Sequence, residues 1–257
     1  MVFYFTGTGN SLYVAKRLDE DLRSIPQAIH GEKQVYKAEK IGIVCPVYGH
    51  EMPGMVKDFL KKAVFQSEYL FVVLTYGNIH GGAAELAEKE LKASGKKADY
   101  INTILMVDNF LPGFDMKEQL ALEPEKKVEE HIAELKRDVD ARRHWIQPAA
   151  EEDRNWHQVY LKRRENIQKE SGKTIYQVTE NCIGCGICTR VCPAGCIHLE
   201  KQKAVHTAEN CQMCMACIHH CPENAVRLRI PEKNPNARYH NEHVRLTEIV
   251  RGNNQLP

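Results

Sequence analysis

Along the N-terminal part of the chain, apolar residues gather in unbroken runs rather than at every second position: Val2 to Phe5, Ile41 to Tyr48, Leu70 to Tyr76 and Asn102 to Val107. Such runs suit strands covered on both faces, as in a parallel sheet. Helical patterns lie between them, over Asn10 to about Leu22, Pro53 to about Val64 and Gly82 to about Ala93. The second opens with proline in its first turn and the third ends before Ser94-Gly95. A weaker strand at Gln34 to Tyr36 completes five. Strands and helices alternating at this length imply right-handed crossovers, and so an α/β domain with a doubly wound five-stranded parallel sheet.

From Glu123 to about Lys169 the composition turns charged and helix-forming, with Val128, Ile132, Leu135 and Val139 at spacings of four, three and four. One apolar stripe therefore faces a surface. Pro148 breaks this pattern, and a second helix carrying Trp156, Tyr160 and Ile167 leads toward a boundary at Ser171-Gly172. The expected division is an α/β domain at 1–146, a helical linker at 147–172, a small α+β domain at 173–230 and a tail at 231–257. The tail is polar and irregular, with no function to assign.

Lysine plus arginine (35) balances aspartate plus glutamate (34), so no basic field argues for nucleic acid. The apolar start is too short for a signal peptide, and no run approaches the ~18 residues of a membrane span. A cytoplasmic protein is expected. Nine of the ten cysteines fall between Cys182 and Cys221, which in such a chain points to metal rather than disulfides.

That region is an internal repeat. Glu180-Asn181-Cys182 recurs as Glu209-Asn210-Cys211, and a shift of 29 carries Cys182, Cys185, Cys188 and Cys192 onto Cys211, Cys214, Cys217 and Cys221. Each copy reads C-x2-C-x2-C-x3-C-P. Three thiolates at this spacing can wrap one face of a cubane, and the fourth, followed by proline, ligates the other cluster. One [4Fe–4S] cluster is thus expected on Cys182, Cys185, Cys188 and Cys221, and a second on Cys211, Cys214, Cys217 and Cys192. Gly184 and Gly186 let backbone amides approach the sulfides. Zinc would use two separated CxxC pairs. Cys196 has Ala225 as its counterpart and reads as a buried small apolar residue, as does Cys45 at the end of its strand. Residues 174 to 230 resemble a bacterial-type two-cluster ferredoxin, which implies low-potential one-electron transfer.

Directly after the first run comes Thr6-Gly7-Thr8-Gly9-Asn10-Ser11 and then a helix, an arrangement that presents amides and hydroxyls to a phosphate. A P-loop would need lysine and a hydroxyl residue after its last glycine, and the dinucleotide fingerprint would need glycine where Leu12 stands. What remains suits a monophosphate held without a cation. Residues 1 to 145 resemble flavodoxin through this loop, which implies FMN and strand order 2-1-3-4-5. The resemblance places Pro46, Val47, Tyr48, Gly49 and His50, and Thr75, Tyr76, Gly77 and Asn78, beside the isoalloxazine. Tyr48 or Tyr76 would stack on the ring and Gly77 would offer a backbone group near N5. His50, His80, His219 and His220 read as surface or loop residues, and Trp145 and Trp156 as packing for the linker helices.

The order of the two parts resembles the flavodoxin–ferredoxin fusion proteins of bacteria and archaea. It implies a converter between two-electron flavin chemistry and one-electron cluster chemistry, serving redox partner proteins. The alternatives are a flavin-dependent reductase of a small molecule such as a quinone, nitro compound or activated double bond, and a redox sensor using the clusters structurally. A homodimer that brings one chain's flavin to another's clusters stays open.

Overall fold

The computed structural model describes residues 1–30, 34–170, 175–207 and 209–256. The first elements are β1 (Val2–Tyr4), α1 (Asn10–Leu18), β2 (Leu22–Ser24), α2 (Ile25–Ala28), β3 (Val35–Lys37) and β4 (Lys40–Pro46). Then follow α3 (Gly54–Lys62), β5 (Val64–Gln66), β6 (Tyr69–Tyr76), α4 (Ala83–Ala93) and β7 (Tyr100–Leu105). The α/β part ends with α5 (Met116–Ala121), a 3-10 turn (Glu123–Lys126), α6 (Val128–Asp140) and β8 (Trp145–Ile146). The apolar runs form the centre of a parallel sheet in order β2-β1-β4-β6-β7-β8. Val2, Phe3 and Tyr4 of β1 lie opposite Gly42, Ile43 and Val44 of β4. Residues from Ile41 through Cys45 are completely or almost completely buried, because helices cover both faces.

Two expectations about this sheet need correction. It has six strands, not five, and its outer strand beside β1 is β2 rather than Gln34 to Tyr36. The latter segment contributes β3, which pairs with β5 in a separate two-stranded parallel sheet. β2 escapes a hydrophobic reading because its three residues, Leu-Arg-Ser, sit half-exposed at an edge. It exists because α1 stops early. Asp19 is extended, and its carboxylate receives the N-terminal ammonium at 2.6 Å. The sixth strand carries Trp145, which therefore belongs to the sheet and not to a linker helix; Arg143 lies over its ring at 5.1 Å.

The C-terminal part comprises α7 (Glu151–Glu170), β9 (Tyr176–Val178), α8 (Ile187–Arg190), β10 (Ile197–Glu200), β11 (Lys203–His206), α9 (Ala216–His219), β12 (Val226–Leu228) and α10 (Leu246–Asn253). β9 pairs antiparallel with β12, and β10 with β11, while α8 packs against α9. This is the doubled unit that the 29-residue repeat predicts. The Ile167 side chain and the Ser171-Gly172 boundary lie outside the described residues. No helix among the described residues is long and apolar enough to cross a membrane.

The tail is not irregular. α10 buries Ile249 and Asn253 against the β2 side of the sheet, and Lys16 on α1 pairs with Glu248 at 2.8 Å. The Ser24 hydroxyl donates to the Gly252 carbonyl. The chain thus returns from the cysteine region to its own first helix, and this return shapes the site.

Candidate metal centres and the glycine loop

Cys182, Cys185, Cys188 and Cys221 border one cavity together with Gly184, Gly186 and Pro222. Three of these thiols come from one repeat and the fourth from the other. The remaining four also gather. Burial first, then the Cys214, Cys192 and Cys211 thiols, pushes the Cys217 thiol well above its ordinary value, with Cys188 of the other group as a further neighbour. Cys188 on α8 and Cys217 on α9 are therefore the point of contact between the two sets.

Backbone amides point at four of the sulfurs, and the first two of these bonds are related by the repeat. Cys196 N–H donates to Cys192 Sγ at 3.2 Å, and Ala225 N–H donates to Cys221 Sγ at the same distance. Met213 N–H reaches Cys211 Sγ at 3.4 Å and Ala204 N–H reaches Cys182 Sγ at 3.5 Å. The loop backbone is conserved between the repeats even where the letters differ. Gly184 and Gly186 adopt positive φ of 71° and 72°, and their counterparts Met213 and Met215 do so at 52° and 57°. A left-handed non-glycine residue costs about 1–2 kcal/mol, so the wrapping of the loop overrides local preference.

These residues fit iron–sulfur clusters. Four thiolates with amide donors aimed at them match cubane ligation. A tetrahedral zinc would use two separated CxxC pairs rather than three cysteines of one repeat and one of the other.

The glycine loop does lead into a helix terminus. Gly9 stands at φ 109° before α1, and the first intrahelical bond runs from Tyr13 N–H to Gly9 O at 2.8 Å. The earlier amides of the turn therefore lack intrahelical partners, as at any helix start. Thr6, Thr8 and Ser11 are buried, and each hydroxyl oxygen has a partner within the protein. Thr6 Oγ1 accepts from Gly9 N–H at 3.1 Å, Ser11 Oγ and Thr75 Oγ1 share a bond of 2.8 Å, and Thr8 Oγ1 accepts from Asn109 at 2.6 Å.

The chain's own segments close over this loop. A Cβ on Gly7 would stand 2.7 Å from the Cys214 carbonyl oxygen, and one on Gly9 would stand 2.9 Å from Asn241 Cβ. Asn241 N–H donates to Thr8 O at 2.9 Å, the Tyr239 hydroxyl to Asn10 Oδ1 at 2.6 Å and Asn253 Nδ2 to Thr6 O at 2.9 Å. Nothing in the periodicity of the tail marks these three residues, although all are buried, because their hydrogen bonds reach Thr6, Thr8 and Asn10 at the far end of the chain. The expectation that His219 and His220 are surface residues is likewise corrected. His219 is 1% exposed and pins three segments together: its Nδ1 accepts from Tyr239 N–H at 3.1 Å and its Nε2 donates to Asn109 O at 2.9 Å. Burial keeps this imidazole neutral, with its pKa pushed down to about 3.

Among the described residues, the groove that Tyr76 lines takes in none of Pro46, Val47, Tyr48, Gly49 and His50. Pro46 ends β4 and Val47 follows it, and the Tyr48 ring turns toward the second cysteine set; burial, then Cys214, Cys45 and Cys211, raises its pKa well above the ordinary value. Tyr160 of α7 fills the space over Gly49, where a Cβ would lie 2.1 Å from its ring. Tyr76 faces the opposite way, into a groove with Asn102, Thr103 and Trp145. Gly77 is packed against Asp108 and its carbonyl accepts from the buried Lys126 at 3.2 Å, while Asn78 is exposed. The expectation of FMN between these loops is not supported: the helix terminus for a phosphate is present, while Cys214, Asn241 and Tyr160 stand against Gly7, Gly9 and Gly49.

Residues 174–222 match the family model of the 4Fe-4S dicluster domain. They form a ferredoxin-like module, and iron–sulfur electron transfer is its chemistry. Comparison with curated proteins and with solved structures returned no match.

Proposed function

We propose that the chain is a two-cluster electron carrier, with the cluster on Cys182, Cys185, Cys188 and Cys221 turned toward redox partner proteins and the cluster on Cys211, Cys214, Cys217 and Cys192 sheltered by the α/β part. The observation that carries this reading is the cavity bordered by Cys182, Cys185, Cys188 and Cys221, thiols drawn from both repeats. Each cluster, when bound, takes up and gives back one electron at a time.

The chain's own residues give the two sets different work. Cys185 is exposed and its neighbour Ile183 is 63% exposed, so the first set meets solvent through an apolar edge on which a partner can dock. Cys214 and Cys217 are buried, and Gly7 and Tyr48 lie against the second set. The packing of α8 on α9 holds Cys188 near Cys217 and offers a short route between the sets. A water-soluble paramagnetic relaxant added to the reduced holoprotein should therefore speed the electron-spin relaxation of the first cluster severalfold more than that of the second. Equal effects on both would contradict the proposed division into port and sheltered site.

The Thr6–Ser11 loop favours a second reading, in which FMN joins the clusters, and that reading requires residues 239–253 and α7 to leave the loops they cover. On the arrangement described above, titration of the intact holoprotein with FMN should leave flavin fluorescence unquenched. Binding of one FMN per chain would show that these segments yield, and would bring back the flavin converter and the small-molecule reductase together, since both depend on it.

A further inference from the structure

The carboxyl end of the sheet holds a cluster of histidines that electron transfer through the cysteines leaves unused. His50 lies in the turn after β4 at φ 72°, and its imidazole packs so closely on the loop after β6 that a Cβ on Gly81 would overlap it. Its ring centroid is 5.6 Å from that of His157 and 5.3 Å from that of Tyr160, both on α7. His157 is 8% exposed. The Nδ1 atoms of His50 and His157 are both buried, and among the described residues neither has a hydrogen-bond partner. His80 completes the group: its Nδ1 accepts from Gly82 N–H at 3.1 Å, and its Nε2 is 3.7 Å from Asp153 Oδ2 on α7. The rings lie where α7, through Tyr160 over Gly49, covers the turn from Tyr48 to Glu51.

We propose that His50 and His157 form an acid-sensitive latch, neutral while α7 lies on the sheet and releasing the helix when either ring takes up a proton. A cationic imidazolium carries two N–H donors and needs an acceptor for each. Here its Nδ1–H would be buried without one and would face a second imidazole instead of water. The charged groups around the pair do not supply the missing compensation. Glu51, in the same turn as His50, is already paired with Lys57 of α3 and lies 3.8 Å from Arg164 of α7. Asp153 stands beside His80 and accepts from Ala150 N–H at 3.1 Å, while Arg154 of α7 is paired with Glu85 of α4. Burial, then His157 and His80, pushes the His50 pKa down to about 4 against the pull of Asp153 and Glu51, and burial lowers that of His157 despite Glu51. On a released helix both rings return to the ordinary value of about 6.5. The released state therefore binds more protons, so docking is at full strength above about pH 6.5 and weakens as the pH falls from there toward about 4. Release uncovers Gly49 and the turn that carries Tyr48, on the side of the second cysteine set. The latch itself depends on no assignment of the clusters.

The test is hydrogen–deuterium exchange of the intact holoprotein at about pH 7.5 and about pH 5.5, corrected for the intrinsic effect of pH on amide exchange and read on peptides covering residues 151–164 of α7. A histidine whose pKa moves from about 4 to about 6.5 on release weakens docking about tenfold at the lower pH. Exchange of these amides should rise about tenfold with it, since a helix draws most of its stability from packing. His50→Asn does not titrate and tolerates the left-handed backbone, and His157→Phe keeps an aromatic ring on α7. Each should leave the helix protected at the higher pH and reduce the rise, and the double variant should abolish it. No rise in the wild type, or an undiminished rise in the double variant, would overturn the proposal. Loss of protection at the higher pH in both single variants would overturn it too, in favour of packing alone. A rise shared equally by peptides between Cys182 and Cys221 would do the same, because it marks general acid unfolding and not release of one helix.

Discussion

Replacing Cys192 by alanine should empty the site built on Cys211, Cys214 and Cys217 and leave the site next to it in sequence loaded. Cys192 follows α8, whose Cys188 belongs to the first set, yet its sulfur is a neighbour of Cys214 and Cys211. Iron should fall from about eight to about four per chain, and the reduced protein should lose the spin coupling between two close clusters. Cys196 is near enough to replace the missing sulfur, so the double variant Cys192→Ala/Cys196→Ala gives the cleaner result. Loss confined to the Cys182 triplet would contradict the crossover. Equal loss at both sites, with the remaining fold intact by circular dichroism, would contradict it too.

Removing the iron should unfold the module and spare the α/β sheet. The second hydrophobic cluster of the molecule holds Tyr176, Ile197, Ile218, Val226 and Leu228 together with Cys188 and Cys217, so the ligands are part of the core they support. Without metal, those sulfurs become buried groups with no partner of comparable strength, and the binding energy that would order the segment is absent. The large parallel sheet is packed mainly by its own layers, Ile41, Ile43, Val72, Val73 and Leu74 against residues of α1, α3 and α4, with Val191, Cys214 and Ala216 joining that core from the cysteine region. Chelation under anaerobic conditions should expose Arg190, Lys201 and Lys203 to trypsin at rates at least tenfold above the holoprotein. A fragment containing residues 1–140 should resist. Cleavage that spreads equally through the α/β part would show that the two parts do not fold separately.

The strands that could be read from the sequence are those whose environment is uniform. β4 and β6 are buried on both faces, and a wholly apolar run states that directly. β2 and β8 could not be read, because two or three half-exposed residues at a sheet edge carry no periodicity, and β3 was assigned to the wrong sheet because a short Val-Tyr-Lys run does not specify its partner. At the site, the cysteine spacing was legible because ligand geometry allows few alternatives. Cys196 is buried, as its alanine counterpart in the other repeat implies. Tyr239, Asn241 and Asn253 look like ordinary polar tail residues, and only the return of α10 to the sheet brings them onto the glycine loop. The loop letters were legible as well; what they could not reveal is that the chain covers its own loop.

The central claim is that this chain carries two four-iron clusters on eight cysteines. Anaerobic reconstitution followed by iron and sulfide analysis and low-temperature EPR of the reduced protein tests it most directly. The account predicts about eight irons and eight sulfides per chain and the interaction-broadened spectrum of two neighbouring reduced clusters. About two zinc ions per chain, or iron without acid-labile sulfide, would contradict it.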